Sequence, residues 1–348
     1  MSKMNRAKKR ALVSLGLLLL LTTACGRNPI GTDNSTAESK RTIVTEEKGS
    51  EQAKMRIYTL DSTVGEVLGD PIFEDFGHLL FPVDRSVTED MSLAEVSSSR
   101  VFVWYNNIQP EKTVEVINHL KSRGMNGQRI FYPIYEEEEI AADPSKADTG
   151  LFSFGGEASK PFAIMNAGGG FSYVGAMHDS FPHALEVTNY GYNGFALIYR
   201  PDDAYADLAR GIEYLHDHAE ELKVSTANYS LWGGSAGARM AATLGNADSL
   251  FRLTGRRDIP QATAVVMQYT GYSAYSPTDA PTYANVGTND GIASWQTMES
   301  RLNRLEALGI ATEFQVYEGL SHGFGLGYDT VAEGWFDDAI AFWEEQMK

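Results

Sequence analysis

Residues 228–245 read Asn-Tyr-Ser-Leu-Trp-Gly-Gly-Ser-Ala-Gly-Ala-Arg-Met-Ala-Ala-Thr-Leu-Gly. The run from Tyr229 to Trp232 is typical of a short strand, and the residues after the glycines are good helix formers. A serine at a sharp turn between a strand and a helix is the context that gives Gly-x-Ser-x-Gly a chemical meaning. Gly233 and Gly237 lack the side chains that would collide where strand and helix meet. Ser235 is therefore the candidate nucleophile.

The same pattern occurs a second time, as Gly-Leu-Ser-His-Gly at residues 319–323. This copy also follows a strand-like run, but it leads into Phe-Gly-Leu-Gly, which does not start a helix. His322 is the last of the seven histidines, so no histidine lies downstream of this second copy. The context favours Ser235 over Ser321, and over the alternative that either stretch is a simple glycine turn.

From Pro161 onward, apolar runs alternate with helical patterns. Strands are predicted at 162–165, 195–199, 229–232, 262–268, 283–286 and 312–317, and helices at 180–188, 204–222, 236–244, 294–308 and 331–346. Upstream, 56–60 and 129–135 are candidate strands, Pro110 opens a helix that stops near Gly124, and 136–139 is a solvated run of glutamates. Alternating strands and helices predict an α/β fold whose mostly parallel central sheet carries helices on both faces. Ligands of such sheets bind beyond the carboxyl ends of the strands.

A serine nucleophile needs a base, and the base needs an orienting acid. His322, in the loop after the last predicted strand, is the one histidine that follows Ser235. Asp290 lies in the loop after the preceding strand and is the favoured acid. Asp279 and Asp329 are alternatives, although Asp329 follows the histidine in the chain. The three favoured residues each lie just past a strand, so they can meet at one edge of the sheet.

A second glycine-rich loop, Asn-Ala-Gly-Gly-Gly-Phe at residues 166–171, follows the strand predicted at 162–165. Its glycines allow backbone N–H groups to point at a developing oxyanion. Gly169 and Gly170, together with the N–H of Ala236, are the predicted oxyanion hole. A phosphate-binding loop is disfavoured because the Lys-Ser/Thr ending and the Gly-x-Gly-x-x-Gly spacing are missing.

The remaining histidines do not indicate a metal site. His216 and His218 are two residues apart on a predicted helix, so they do not share a face. His178 and His183 follow the glycine loop and are predicted to lie at the rim of the site. No metal and no cofactor are expected.

These motifs together resemble the α/β-hydrolase superfamily, and most closely its esterase branch of acetyl esterases and hormone-sensitive lipases. The resemblance covers about residues 129–348: residues 168–171 match the glycine motif, 233–237 the nucleophile turn, Asp290 the acid loop and 322–324 the histidine loop. Ala167 stands where that branch has histidine. Residues 56–128 match no motif and are predicted to be an N-terminal extension or a cap.

The resemblance implies a serine carboxylesterase that forms an acyl-enzyme and acts on small or carbohydrate-linked acyl esters, including acetylated carbohydrates. In this fold the residues after the oxyanion glycines lie near the acyl pocket, so Phe171 and Tyr173, with Phe324 opposite, are predicted to leave a pocket for short acyl chains. A serine peptidase of the prolyl-oligopeptidase type is the alternative enzyme. An inactive hydrolase fold used for binding is the alternative from another class.

Charge and the N-terminus indicate where the chain works. The formal net charge is −17, which repels nucleic acid, so no nucleic-acid partner is expected.

Residues 1–24 combine a basic start with an apolar run at 11–21, which indicates a secretory signal. Thr-Thr-Ala-Cys at 22–25 resembles the lipobox of bacterial lipoproteins, with an ordinary signal peptide as the alternative. The resemblance implies lipidation at Cys25, a flexible tether at 25–55, a hydrolase domain at 56–348, and an extracytoplasmic protein anchored to the bacterial membrane or envelope.

Replacement of the sole cysteine tests the anchor. Cys25→Ser should abolish incorporation of a labelled fatty acid and change the distribution of the chain between membrane and soluble fractions, because no other thiol is available. Equal labelling of the variant and the parent would show that the chain is not anchored through Cys25.

Overall fold

The computed structural model describes residues 57–82 and 85–348, which lie in one compact unit, Ser50–Lys348. The predicted signal segment, Cys25 and the tether lie outside the described residues. Within the described part, no helix combines the length and apolar character that a membrane crossing requires.

The described residues form one eight-stranded sheet. Its strands are β1 (Phe131–Pro133), β2 (Gly150–Gly155), β3 (Pro161–Asn166), β4 (Asn193–Ile198), β5 (Ser225–Gly234), β6 (Ala264–Gln268), β7 (Thr282–Gly287) and β8 (Thr312–Tyr317). The spatial order is β1-β2-β4-β3-β5-β6-β7-β8. The pairs β1/β2 and β2/β4 are antiparallel. The remaining neighbours, β4/β3, β3/β5, β5/β6, β6/β7 and β7/β8, are parallel. The predicted α/β fold with a mostly parallel sheet is confirmed.

The strands of the parallel part of the sheet are mostly apolar on both faces, as is typical of strands that helices cover on either side. Every residue of β4, β6 and β7 is buried. The α-helices lie at Val64–Leu68, Leu93–Val96, Pro110–Met125, Glu137–Ala142, Ala176–Asp179, Phe181–Glu186, Ala204–Asp217, Ala219–Leu222, Ala236–Leu244, Ala247–Thr254, Trp295–Ala307 and Trp335–Gln346. Short 3₁₀ turns occupy Gly77–Leu80, Pro144–Lys146, Val187–Tyr190 and Pro201–Asp203.

Several elements differ from the sequence-based predictions. The candidate strand at 56–60 is wrong over its described part, because the backbone of Tyr58 pairs with the side chain of Asn118 and not with a strand. The helix predicted at 204–222 is interrupted at His218. The helix predicted from 331 begins at Trp335, after Gly334 in a left-handed conformation (φ 91°). β2 was not predicted, since five of its six residues are buried and it shows no alternation of apolar and polar residues.

The described part of the N-terminal segment packs as an extension of the same core. Its buried side chains, which include Val64, Phe73 and Leu93, belong to the apolar cluster that surrounds the sheet. A buried ion pair joins Lys121 Nζ to Asp70 Oδ2 at 2.7 Å, with the two side chains 3% and 1% exposed. Each charge compensates the other, so neither is left unpaired in the interior. The segment therefore holds a fixed position beside the sheet.

Candidate functional site

The turn between β5 and the helix Ala236–Leu244 carries Ser235. Its backbone has φ 51° and ψ −114°, a strained conformation for any residue with a side chain. A Cβ added to Gly233 would lie 2.3 Å from the carbonyl carbon of Gly237. A Cβ added to Gly237 would lie 1.9 Å from the carbonyl oxygen of Asn166. Glycine is needed at both positions because backbone packs on backbone here. The turn lifts the Ser235 side chain beyond the end of β5, where it remains half-buried.

The side chains of Ser235, His322 and Asp290 form one hydrogen-bonded chain. His322 Nε2 lies 3.0 Å from Ser235 Oγ, and His322 Nδ1 lies 2.7 Å from Asp290 Oδ2. The side chains of His322 and Asp290 are 5% and 0% exposed. A carboxylate on Nδ1 selects the tautomer that carries its proton there, which leaves Nε2 free to accept a proton from the serine.

The acid is itself held by backbone donors. Asp290 Oδ1 accepts hydrogen bonds from the N–H groups of Ile292 and Ala293, at 2.8 and 2.7 Å. These two bonds fix the plane of the carboxylate, so the second oxygen points at His322. A base with an orienting acid and a serine within hydrogen-bond reach is the arrangement that activates a hydroxyl nucleophile.

The alternative residues from the sequence lie elsewhere. Asp279 is bound by the guanidinium of Arg301 at 2.8 Å and by the amide of Asn246 at 2.7 Å. Asp329 is exposed, and its backbone N–H donates to Glu333. Neither carboxylate contacts His322. Ser321 makes no hydrogen bond to a histidine within the described residues.

The glycine loop after β3 approaches Ser235 closely. An added Cβ at Gly168 would lie 2.8 Å from Ser235 Cβ, and Gly169 has φ 124°. Gly170 has φ 63°. Over residues 57–82 and 85–348, the N–H groups of Gly169, Gly170 and Ala236 have no hydrogen-bond acceptor. Ala236 is the first residue of its helix, so its N–H is one of those a helix leaves unpaired. The predicted oxyanion residues thus present free donors.

A buried carboxylate that sequence reasoning missed lies beneath this loop. Asp179 is 2% exposed and accepts hydrogen bonds from Gly168 N–H at 2.7 Å, from Tyr105 Oη at 2.9 Å, and from Tyr269 Oη. An added Cβ at Gly234 would lie 2.4 Å from Asp179 Oδ1, so the carboxylate also touches the turn before Ser235. The available signal was that Asp179 is the sole acidic residue in the otherwise apolar and neutral stretch 161–185.

The histidines after the glycine loop are not rim residues, and that prediction is wrong. His178 is 7% exposed and its Nε2 lies 3.0 Å from the carbonyl oxygen of Gly323; His183 is 3% exposed and its Nε2 lies 2.9 Å from Gln268 Oε1. Burial lowers the pKa of His178 to about 4 and that of His183 to about 3. Both rings are therefore neutral at pH 7. His178 contacts the histidine loop directly, whereas His183 is linked to it through Gln268, whose Nε2 donates to the carbonyl oxygen of Gly325.

The N-terminal segment reaches the site directly. Asn106 binds the histidine loop twice, through Nδ2 to the carbonyl oxygen of His322 at 2.7 Å and through its N–H to that of Gly323 at 3.0 Å. The Tyr105 ring packs edge-on against His178, with ring centres 4.9 Å apart. Residues 104–106 thus lie between the glycine loop and the histidine loop.

Two of the predicted pocket residues offer no surface to a ligand. Tyr173 is 0% exposed and donates from its phenol to the carbonyl oxygen of Val103 at 2.6 Å, and Phe324 is 1% exposed beneath Tyr269. Both aromatic rings are packed inside the protein beneath the loops. The prediction that they line the substrate pocket is therefore wrong. Phe171 is half-buried and packs against Tyr205.

A metal centre is not apparent at this site. Among the described residues, no three His, Cys, Asp or Glu side chains cluster in a way that would hold a metal ion. The functional groups gathered here are a hydroxyl, an imidazole, carboxylates and backbone donors.

The buried carboxylate should make stability depend on pH. Burial raises the pKa of Asp179 from 3.8 to about 6, against the opposing effect of its hydrogen bonds. Because the folded pKa exceeds the unfolded one, the folded protein holds this proton more tightly, and the associated stability is lost as pH rises through about 6. We expect the free energy of unfolding of the parent, relative to Asp179→Asn, to increase as pH falls from about 7 to about 4. Urea unfolding across this range measures it, and a constant difference would contradict the raised pKa.

Comparison with known proteins identifies the fold. No model of a known protein family matches the chain, and no curated protein matches it. The acetyl ester-xyloside bifunctional hydrolase from Caldicellulosiruptor lactoaceticus is 18% identical with a TM-score of 0.53, over 62% of this chain and 95% of that one. Thermogutta terrifontis esterase 2, phosphonylated by cyclosarin, is 20% identical with a TM-score of 0.52, over 62% and 93%. The carboxylesterase Cest-2923 from Lactobacillus plantarum WCFS1 is 18% identical with a TM-score of 0.50, over 57% and 93%. Together with the strand order, these similarities show that the chain has the α/β-hydrolase fold.

Proposed function

We propose that this protein is a serine carboxylesterase that hydrolyses short-chain acyl esters, with acetylated carbohydrates among its substrates. The observation that carries the proposal is the chain of hydrogen bonds from Asp290 through His322 to Ser235, next to unpaired N–H groups on the glycine loop. Similar proteins of this fold support it, since the names of three solved structures describe ester hydrolases.

The geometry accommodates the acylation half of the reaction. Ser235 Oγ attacks the ester carbonyl carbon while its proton passes to His322 Nε2, and Asp290 stabilises the imidazolium that forms. The carbonyl oxygen becomes an oxyanion, which the N–H groups of Gly169, Gly170 and Ala236 bind. His322 then gives its proton to the oxygen of the departing alcohol, which leaves an acyl-enzyme on Ser235.

Deacylation uses the same groups in reverse. Water enters the position that the alcohol has left, and His322 accepts a proton from it as it attacks the acyl carbonyl. The second oxyanion occupies the same donors, and its collapse returns the proton from His322 Nε2 to Ser235 Oγ. The acid product and the free serine result.

Asp179 acts on these groups through its hydrogen bond to the glycine loop. Its hydrogen bond to Gly168 N–H fixes the start of the glycine loop, immediately before the two residues whose N–H groups we assign to the oxyanion. A donor that is held in place before the reaction needs no reorganisation as charge develops, which is the source of most of its catalytic value.

The N-terminal residues add a location to the proposal. A lipid on Cys25 and a tether of about thirty residues, with a root-mean-square reach of roughly 30 Å, would hold the hydrolase unit outside the membrane.

Two measurements separate this proposal from its alternatives. Comparing the rates at which residues 56–348 hydrolyse esters and peptides distinguishes it from the peptidase alternative. Labelling of Ser235 by a fluorophosphonate distinguishes it from a binding protein without activity.

Two serines in the same sequence pattern provide a matched pair of variants. Ser235→Ala should reduce ester hydrolysis by about 10⁴-fold or more, because the nucleophile is lost. Ser321→Ala should keep most of the rate, because Ser321 makes no hydrogen bond to a histidine within the described residues. Rates on p-nitrophenyl acetate measure both. An inactive Ser321→Ala with an active Ser235→Ala would reverse the assignment.

Acyl-chain preference should favour short chains. Tyr173, Met177 and Phe324 are at most 2% exposed, so the interior next to the loops is already filled. Each methylene that stays in water forfeits about 0.8 kcal/mol of burial, and displacing packed rings costs more than it returns. On p-nitrophenyl esters from acetyl to dodecanoyl, we expect kcat/KM to be highest at acetyl to butyryl. A maximum at octanoyl or longer would show that a deep channel opens when substrate binds.

A further inference from the structure

Trp104 is a large aromatic residue that is both exposed to solvent and strained in its backbone. Its side chain is 44% exposed. Its backbone has φ 75°, a left-handed conformation that is unfavourable for a bulky residue. Strain of this kind persists where the surrounding structure enforces it, and it concentrates at ligand sites.

The indole lies beside the proposed oxyanion hole. An added Cβ at Gly170 would lie 3.0 Å from Trp104 Cζ3, so the ring is in contact with the glycine loop. An added Cβ at Gly323 would lie 3.1 Å from the carbonyl oxygen of Trp104, so its backbone touches the histidine loop. Trp104 thus borders the site between the two loops that carry its chemistry.

The ring is also supported from one side. It stacks on the buried Tyr173 ring, with centres 6.1 Å apart and planes 27° from parallel. Arg85 lies over Tyr173 with its guanidinium carbon 5.2 Å from the ring centre. The contacts with Tyr173, which itself packs against Arg85, hold the indole in position while part of its surface remains in solvent. A pre-positioned aromatic surface loses little conformational entropy when a ligand covers it.

The ring's surroundings indicate which part of an ester it contacts. The interior next to the loops is filled by buried aromatic rings, so it has room for a small acyl group. The alcohol of the ester must leave toward solvent, and the indole of Trp104 is exposed to solvent where it contacts the glycine loop. Within the described residues, Trp104 Nε1 also donates no hydrogen bond. An apolar face with a free N–H at its edge suits a hydroxylated ring better than an alkyl chain.

We propose that Trp104 is a specificity-determining residue that stacks on the pyranose ring of a sugar alcohol, so that the preferred substrates are O-acylated sugars. This inference rests on the proposed function and adds the residue that makes a sugar the preferred alcohol. The N–H of Trp104 would donate to a ring hydroxyl, and the indole face would cover the C–H groups of the sugar. The N-terminal segment thereby supplies the leaving-group side of the site.

Two acetyl esters with different alcohols test the contact. The substrates are an O-acetylated methyl pyranoside and ethyl acetate. Trp104→Ala should lower the ratio of kcat/KM for the sugar ester to kcat/KM for ethyl acetate by roughly 2- to 13-fold. The loss should appear as a higher KM for the sugar ester, because stacking holds the alcohol equally in the ground and transition states. Trp104→Phe, which keeps a ring and loses the N–H, should recover part of the ratio. Phe251→Ala removes an aromatic that is 37% exposed on the helix Ala247–Thr254, and it should leave the ratio at the parent value.

A binding measurement separates this inference from the proposed function. In Ser235→Ala, titration calorimetry with the same acetylated pyranoside should detect binding that is lost when Trp104→Ala is added. If Trp104→Ala lowers both rates equally, or leaves the ratio and the sugar binding unchanged, the assignment to the sugar is wrong while the esterase proposal stands. If the sugar binds through Trp104 and the parent hydrolyses neither ester, the contact between Trp104 and the sugar stands, whereas the esterase proposal and the assignment of a substrate preference fail.

Discussion

The carboxylate of Asp179 holds together the parts of the chain that make up the site. Its three donors come from the N-terminal segment (Tyr105), from the glycine loop (Gly168) and from the residue after β6 (Tyr269). A carboxylate buried this deeply is costly unless each oxygen is paired, and here three donors pair with it. Removal of any one of them would leave part of a charge exposed to an apolar interior. The positions of the loops around Ser235 are therefore coupled to one another through a single side chain.

The site also concentrates backbone strain. Ser235, Trp104 and Phe171 have φ values of 51°, 75° and 56°, and Tyr269 next to His322 has φ 35°. Such conformations persist where packing and hydrogen bonds leave no alternative. The buried Tyr173 and Phe324 supply that packing, which explains why their rings are unavailable to a ligand. Aromatic residues that the sequence placed in the pocket are thus the structural support on which the pocket depends.

Sequence patterns were reliable for elements with strong periodicity, and the structure brings the predicted acid and base together with Ser235. The Gly-x-Ser-x-Gly turn, the strands β3 to β8 and the sequence of acid and base after strands follow from local rules, and the predicted sheet is confirmed. Asp179 and Tyr105 could not be found in this way, because they lie 74 residues apart and nothing local marks their contact. β2 was missed because it is buried on both faces and flanked by glycines, so it has no alternation. The burial of His178 and His183 depends on tertiary packing, which single-sequence patterns do not contain.

The hydrogen bond from Asn106 to the carbonyl oxygen of His322 spans 216 residues of chain. Contacts between such distant residues form late, since the loop-closure entropy must be overcome before they stabilise anything. A nascent chain that has exposed Ser235 but not yet residues 286–324 has a nucleophile turn without its base, its acid or the loop that Asn106 binds. The hydrogen-bonded chain from Asp290 through His322 to Ser235 can therefore close only after His322 has been synthesised. A chain truncated before that residue carries Ser235 without the imidazole that hydrogen-bonds to it.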